Sequence, residues 1–279
     1  MVNFFFLDKN PKLCAKFYCD KHVNKIMIEI CQLLSNVLHN NTNLKPPYKK
    51  TSNIPITLAP YRWANYSKGN YIYLLNLAEA LLNEYKYRYN KEDQKTEHKT
   101  EKVIKWLQNN IPNHFNHKKR TKLFYTKNID LFHKYIKDDV ECFRYIYTIY
   151  KCKNDKWTKR DKPKWFDQYL KKSNLEKDFY KRKLLENVKI KLPKLYKNQK
   201  DVKVKRFHSF LRIIYDNMFG EKWQNYIKKY KNMYNQKEPL INQLSFIHLK
   251  ECYELSKKLF IKKNLIDMNT QSLKWRGFT

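Results

Sequence analysis

CDKHVNKIMIEICQLLSNVLH, residues 19–39, decides the fold class. Val23, Ile26, Met27, Ile30, Leu33, Leu34, Val37 and Leu38 recur every three or four positions and form one wide apolar face of an α-helix. His22, Lys25, Glu29, Gln32, Asn36 and His39 fall on a polar stripe beside it. Glu29 follows His22 by seven positions, close to two helical turns, so both side chains leave the same side with Lys25 between them. A carboxylate at the edge of a buried face, flanked by two basic groups, suits acid/base chemistry. The alternative is an i,i+4 ion pair between Lys25 and Glu29 on a solvated face, worth about 0.2–0.5 kcal/mol.

Outward from this stretch, the helix extends from about Lys12 to His39 with a break near Asp20, and residues 1–9 read as an extended lead-in packed on the core. A polar loop with Pro46, Pro47, Pro55 and Pro60 follows. The strongest helical pattern covers 68–89, where Tyr71, Leu74, Leu75, Ala78, Leu81, Leu82 and Tyr85 repeat at helical spacing. The charged run 91–102 reads as a solvated turn before a short helix that passes Trp106 and ends before Pro112. Residues 129–151 read as one helix with Val140, Phe143, Ile146, Tyr147 and Tyr150 inward. Beyond a Lys-rich stretch at 181–206, helices are expected near 203–218, 221–234 and 239–262, with Gly220 and Pro239 as stop and start signals and His248 at a core edge. The chain shows no internal repeat, and three glycines leave little room for hairpins or phosphate-cradling loops. The reading is an all-α protein: a compact helical domain over 1–172 and a basic helical accessory region over 173–279.

The formal charge of +33 on 279 residues points to a polyanionic partner. Nucleic acid, DNA or RNA, suits it best, because 22 Tyr, 16 Phe and 6 Trp supply stacking groups beside the cations. A membrane surface is excluded, since the chain has neither a lipidation signal nor a basic amphipathic anchor. The opening run Phe4–Leu7 is too short to span a bilayer. Six cysteines at 14, 19, 31, 142, 152 and 252, without a CxxC pair or a signal peptide, read as reduced thiols of an intracellular protein, cytoplasmic or nuclear and not secreted. Cys14, Cys19 and His22 have a zinc-like spacing but lack a fourth ligand at matching distance, so no metal is expected.

Two segments carry the binding signal. In NHFNHKKRTKLFYTK, residues 113–127, Lys118, Lys119, Arg120 and Lys122 suit phosphate contact, and a solvated loop accounts for them equally. In WTKRDKPKWFDQYL, residues 157–170, Trp157, Trp165, Phe166 and Tyr169 alternate with Lys159, Arg160 and Lys162 as a cation-and-ring surface, or else the rings anchor the chain to its core.

Asp20-Lys21-His22 with Glu29 resembles the Asp-x-His and downstream Glu of the phage-type pyrimidine-dimer DNA glycosylases. Lys162-Pro163-Lys164-Trp165-Phe166 through Tyr169 resembles the stretch that closes those enzymes. The likeness covers roughly residues 1–170. It implies a compact all-α fold and a glycosylase with abasic-site lyase activity that needs no cofactor. It also implies that the α-amine of the mature N-terminal residue, Val2 after removal of Met1, attacks the sugar C1′ while Glu29 assists elimination. In that reading His22 polarises the site, Asp20 orients His22, and Lys25 joins the DNA-binding set. Asn3, Ile28 and Gln32 stand where the family carries basic residues that grip damaged DNA. Two other functions fit the same residues: a non-catalytic nucleic-acid-binding protein for packaging or RNA association, and another nucleotide- or RNA-modifying enzyme. Oligomeric state has no signature in the sequence.

Overall fold

A computed structural model describes residues 4–90, 98–125, 127–152, 155–191, 247, 249–250 and 253–254. Among these the chain is all-α, with eight α-helices, one π-helical turn and one isolated bridge between Ser67 and His117. The chain divides into two compact units, Met1–Leu170 and Lys171–Thr279. Apart from the few residues described between 247 and 254, the helices expected at 203–218, 221–234 and 239–262 lie outside the described residues, as does His248.

Helix α1 (Pro11–Phe17) starts where the Asn10 side chain accepts from the Lys12 and Leu13 N–H groups and Pro11 fills the first turn. Tyr18 and Cys19 are extended, and α2 (Asp20–Asn41) begins anew. The interruption has a cause: Tyr18 Oη accepts from the Phe5 N–H and donates to the Phe5 carbonyl, both at 2.7 Å. That staple holds the break against the lead-in, whose Phe4, Phe5, Phe6 and Leu7 are all buried.

Helix α2 packs on α4 (Lys68–Tyr89), with α1, α3 (Ala59–Tyr66) and α5 (Thr100–Asn109) around the pair. Leu34, Val37 and Leu38 of α2 meet Leu74, Leu77, Ala78 and Leu81 of α4 in one core, all fully buried. Of the polar stripe of α2 only Lys25 is exposed; His22 and Asn36 are buried, and Glu29, Gln32 and His39 are partly buried. Asn36 is 1% exposed, donates to the Thr51 and Ile54 carbonyls and accepts from the Thr51 N–H, so it clamps the proline-bearing loop over the helix.

Two expectations change. Helix α3 forms inside the stretch read as a loop, with Pro60 in its first turn, where a missing N–H does no harm. The single helix expected over 129–151 is α6 (Lys127–Tyr135), α7 (Asp139–Ile146) and a π-helical turn at Tyr147–Lys151. Asp138 causes the break: it is extended, and its carboxylate accepts from the Glu141 N–H at 3.0 Å, an N-cap that restarts the helix. Helix α8 (Lys164–Lys191) is the last of the series.

Candidate active site and nucleic-acid surface

Asp20 opens α2, and its carboxylate accepts from Arg88 Nη1 at 2.9 Å, from the Thr158 N–H at 2.9 Å and from Thr158 Oγ1 at 2.7 Å. Arg88, 2% exposed, also donates to Glu84 at 2.8 Å and to the Lys16 carbonyl at 3.2 Å. Glu84, 4% exposed, takes Arg160 through both carboxylate oxygens at 2.9 Å. The result is an alternating Asp20–Arg88–Glu84–Arg160 network that ties the start of α2, the end of α4 and the segment at 155–160 together. Burial would raise the Glu84 carboxyl, but the Arg160 and Arg88 hydrogen bonds outweigh it and hold the group below its ordinary value. Asp20 shifts the same way: burial is outweighed by Thr158 and Arg88.

His22 turns elsewhere. Its Nδ1 lies 2.9 Å from Tyr147 Oη, 3.0 Å from Cys19 Sγ and 3.5 Å from Cys152 Sγ, and Phe5 packs against the ring. The two sulfurs are 2.8 Å apart, and Asp155 Oδ2 is 3.5 Å from Cys19 Sγ. The expectation that Asp20 orients His22 is thus replaced. Arg88 and Thr158 occupy the carboxylate, and the hydroxyl of Tyr147 with two thiols faces the imidazole. Cys14, the partner suggested by spacing, instead donates to the Phe5 carbonyl at 3.4 Å. The Cys19 thiol is held below its ordinary value, first by the hydrogen bond from Cys152. Burial pushes Cys152 the other way.

Farther along α2, Glu29 is half-buried and lies 3.9 Å from Lys25, whose side chain is 65% exposed. Lys151 ends the π-helical turn, with its Nζ 5.9 Å from the centre of the Phe5 ring. Burial, and then the like charges of Lys25 and Lys21, hold this amine below the ordinary lysine value, while Glu29 pulls in the opposite direction. A half-buried carboxylate and an amine of weakened basicity therefore share this side of the fold. Val2, the expected nucleophile, lies outside the described residues.

Of the basic segment, Lys118, Lys119 and Lys122 are exposed and form no ion pair among the described residues. Their backbone is fixed. Lys68 N–H donates to the His117 carbonyl at 2.8 Å, Asn70 bonds Thr121 through its N–H and hydroxyl, and Trp63 Nε1 donates to the Lys122 carbonyl at 2.9 Å. Gly69 permits the approach, since a Cβ there would stand 2.3 Å from Arg120 N and 2.7 Å from Lys119 C. Arg120 differs from its neighbours. Its guanidinium donates to the Lys9 carbonyl and lies over the Phe6 and Tyr73 rings, so its charge serves the fold.

The cation-and-ring surface expected at 157–170 is corrected to an anchor. Trp157 and Phe166 are buried, and Trp157 Nε1 donates to the Phe17 carbonyl at 3.1 Å. Trp165 stands edge-on to Phe17 under the Arg144 guanidinium, and Tyr169 packs against Trp165 and Tyr145. The cations are engaged as well: Lys159 with the Asn90 carbonyl, Arg160 with Glu84 and the Tyr87 ring, Lys162 with Asp167. Apolar rings at a chain crossover gain more from burial than from exposure to solvent.

Glu84, Arg88 and Lys151 were not singled out from the sequence, and Tyr147 and Cys152 were read only as a core position and a reduced thiol. Glu84 and Arg88 continue the register of Leu77 and Leu81 on α4, so charged groups in phase with a core face were the available signal. Cys152 had none, being 133 positions from Cys19. No protein-family model, curated protein or solved structure matches the chain. No helix among the described residues is long and apolar enough to cross a membrane.

Proposed function

We propose that this protein processes DNA as a glycosylase with abasic-site lyase activity, acting through a Schiff base on an amine. The observation that carries the reading is a half-buried carboxylate, Glu29, together with a half-buried amine, Lys151, whose basicity is lowered first by burial and then by the like charges of Lys25 and Lys21. An amine with an appreciable neutral fraction attacks the sugar C1′, and the base leaves with a proton as the ring opens to an imine. A carboxylate, Glu29, takes a C2′ proton, the 3′ phosphate departs by elimination, and water hydrolyses the imine to free the amine. The Val2 α-amine remains the nucleophile that the family resemblance implies, and Lys151 is a second candidate amine, its basicity lowered by burial. Lys118, Lys119 and Lys122, on a fixed rim, would hold the phosphates.

Borohydride trapping on a duplex with one abasic site, followed by peptide mapping, tests this. A covalent adduct on Val2 or Lys151 is the expected result, and failure to trap any adduct with folded, DNA-bound protein overturns the lyase reading. A non-catalytic nucleic-acid binder is the second reading. It is favoured by the engagement of Asp20 and His22 in internal contacts, and it predicts salt-dependent binding with no adduct.

A further inference from the structure

The geometry points to a binding site for one zinc-class divalent cation, held by Cys19 Sγ, His22 Nδ1 and Cys152 Sγ. These atoms all lie within 4.8 Å of one another and belong to three buried residues. Cys19 is the residue that precedes α2, His22 lies in its first turn, and Cys152 comes directly after the π-helical turn. Two thiols and an imidazole are the donor set of borderline-soft cations such as zinc, and a poor one for magnesium or calcium. Two bound thiolates would also cancel the charge of the cation, as a buried site requires.

The distances fit a site that opens slightly when filled. Metal–sulfur bonds of about 2.3 Å and metal–nitrogen bonds of about 2.0–2.1 Å put tetrahedral donors about 3.5–3.8 Å apart. The observed separations are 2.8 Å between the sulfurs and 3.0 and 3.5 Å from the imidazole to each. Asp155, 3.5 Å from Cys19 Sγ and paired with Lys21, is the nearest carboxylate for a fourth position. Tyr147 supplies the outer support: its Oη accepts from the Cys19 N–H at 2.9 Å and lies 3.2 Å from the sulfur.

The backbone gives an independent argument. One residue rotates a side chain by about 100° around a helix, and an extra residue in a wide turn re-aims the side chains beyond it. The π-helical turn at Tyr147–Lys151 stands immediately before Cys152, whose N–H donates to the Tyr147 carbonyl at 3.2 Å. A disulfide between the sulfurs would use two of the three groups and leave unexplained why the imidazole nitrogen faces both. The bound cation would clasp the start of α2 to the chain beyond the turn, beside the Asp20–Thr158 contact.

The test uses the full-length chain, reduced and stripped with a chelator, and titrated with cobalt(II). One equivalent should produce thiolate-to-cobalt charge-transfer absorption with tetrahedral visible bands, and zinc should abolish both. Cys152→Ser and His22→Ala should each weaken binding by more than the ~10–100-fold typical of losing an outer-shell partner. Cys14→Ser and Cys31→Ser should leave it unchanged. If the site variants do not fold, alkylation of the wild-type chain decides, because zinc should then slow modification of Cys19 and Cys152 alone among the buried cysteines. A folded, reduced chain without the charge-transfer band, equal affinity in Cys152→Ser, or a native Cys19–Cys152 disulfide in peptide maps would each overturn the site.

Discussion

Glu29 and Arg88 are both charged groups on helices at the border of the core, yet they answer to different measurements. The Glu29–Lys25 pair is long and its lysine mostly exposed, so it contributes about 0–1 kcal/mol. Glu29→Gln keeps the size and shape of the side chain and should leave thermal stability and DNA affinity near wild type while lowering scission at an abasic site by about 100-fold or more. Unchanged scission in the purified variant would remove Glu29 from the chemistry. Arg88 is held by two carboxylates. Arg88→Met leaves the buried Glu84 short of one partner and Asp20 short of another, and should cost about 3–5 kcal/mol in urea denaturation. The network also sets a pH dependence. Asp20 and Glu84 have lowered values in the folded chain, so the unfolded chain binds these protons more tightly. Their stabilisation is present in full above about pH 5 and fades as pH falls through the lowered folded values. Denaturant midpoints measured from neutral to acid pH should show that loss, and Arg88→Met should flatten it.

At the scale of elements, what the sequence disclosed depended on whether a signal was local. Helix α4 was legible because Tyr71, Leu74, Leu75, Ala78, Leu81 and Leu82 repeat within one stretch. The 136–138 break was not, because its decisive event is one Asp138 side chain winning a backbone N–H. The rings at 157–170 read equally as surface or anchor until Trp157 and Phe166 proved buried and Trp165 partly buried against Phe17 and Arg144. Of the candidate site, the α2 stripe and Glu29 were legible. Lys151 and Cys152 were not, since both depend on a chain crossover. The structure therefore changes what two substitutions should do. Trp165→Ala should act on folding, costing about 1–3 kcal/mol in denaturant titration for this partly buried ring, with little change in DNA affinity per folded molecule. Lys118→Ala with Lys119→Ala should leave folding intact and flatten the salt dependence of DNA affinity. The expected reduction is about 0.9 per phosphate contact, about 1.8 for the pair. An unaltered slope would mean the rim at 118–122 does not carry the phosphates.

For the whole molecule, a charge of +33 makes salt act in opposite directions on two equilibria. In the folded chain like charges are closer together than in the unfolded chain, and this self-repulsion destabilises the compact state. Added salt screens it over a Debye length of about 10 Å at 0.1 M. Short buried pairs such as Arg88–Glu84 are screened far less, so they do not offset the gain. The midpoint of thermal unfolding should accordingly rise as sodium chloride is increased through the physiological range. DNA binding should fall over the same range, because each phosphate neutralised releases counterions that salt drives back. The two curves are separable by following unfolding without DNA and affinity well below the unfolding temperature. A fall of both with salt would mean that surface ion pairs, such as Lys86–Glu101 and Lys162–Asp167, outweigh the net repulsion. A rise in stability with salt-independent DNA affinity would show that the excess charge does not serve nucleic-acid binding.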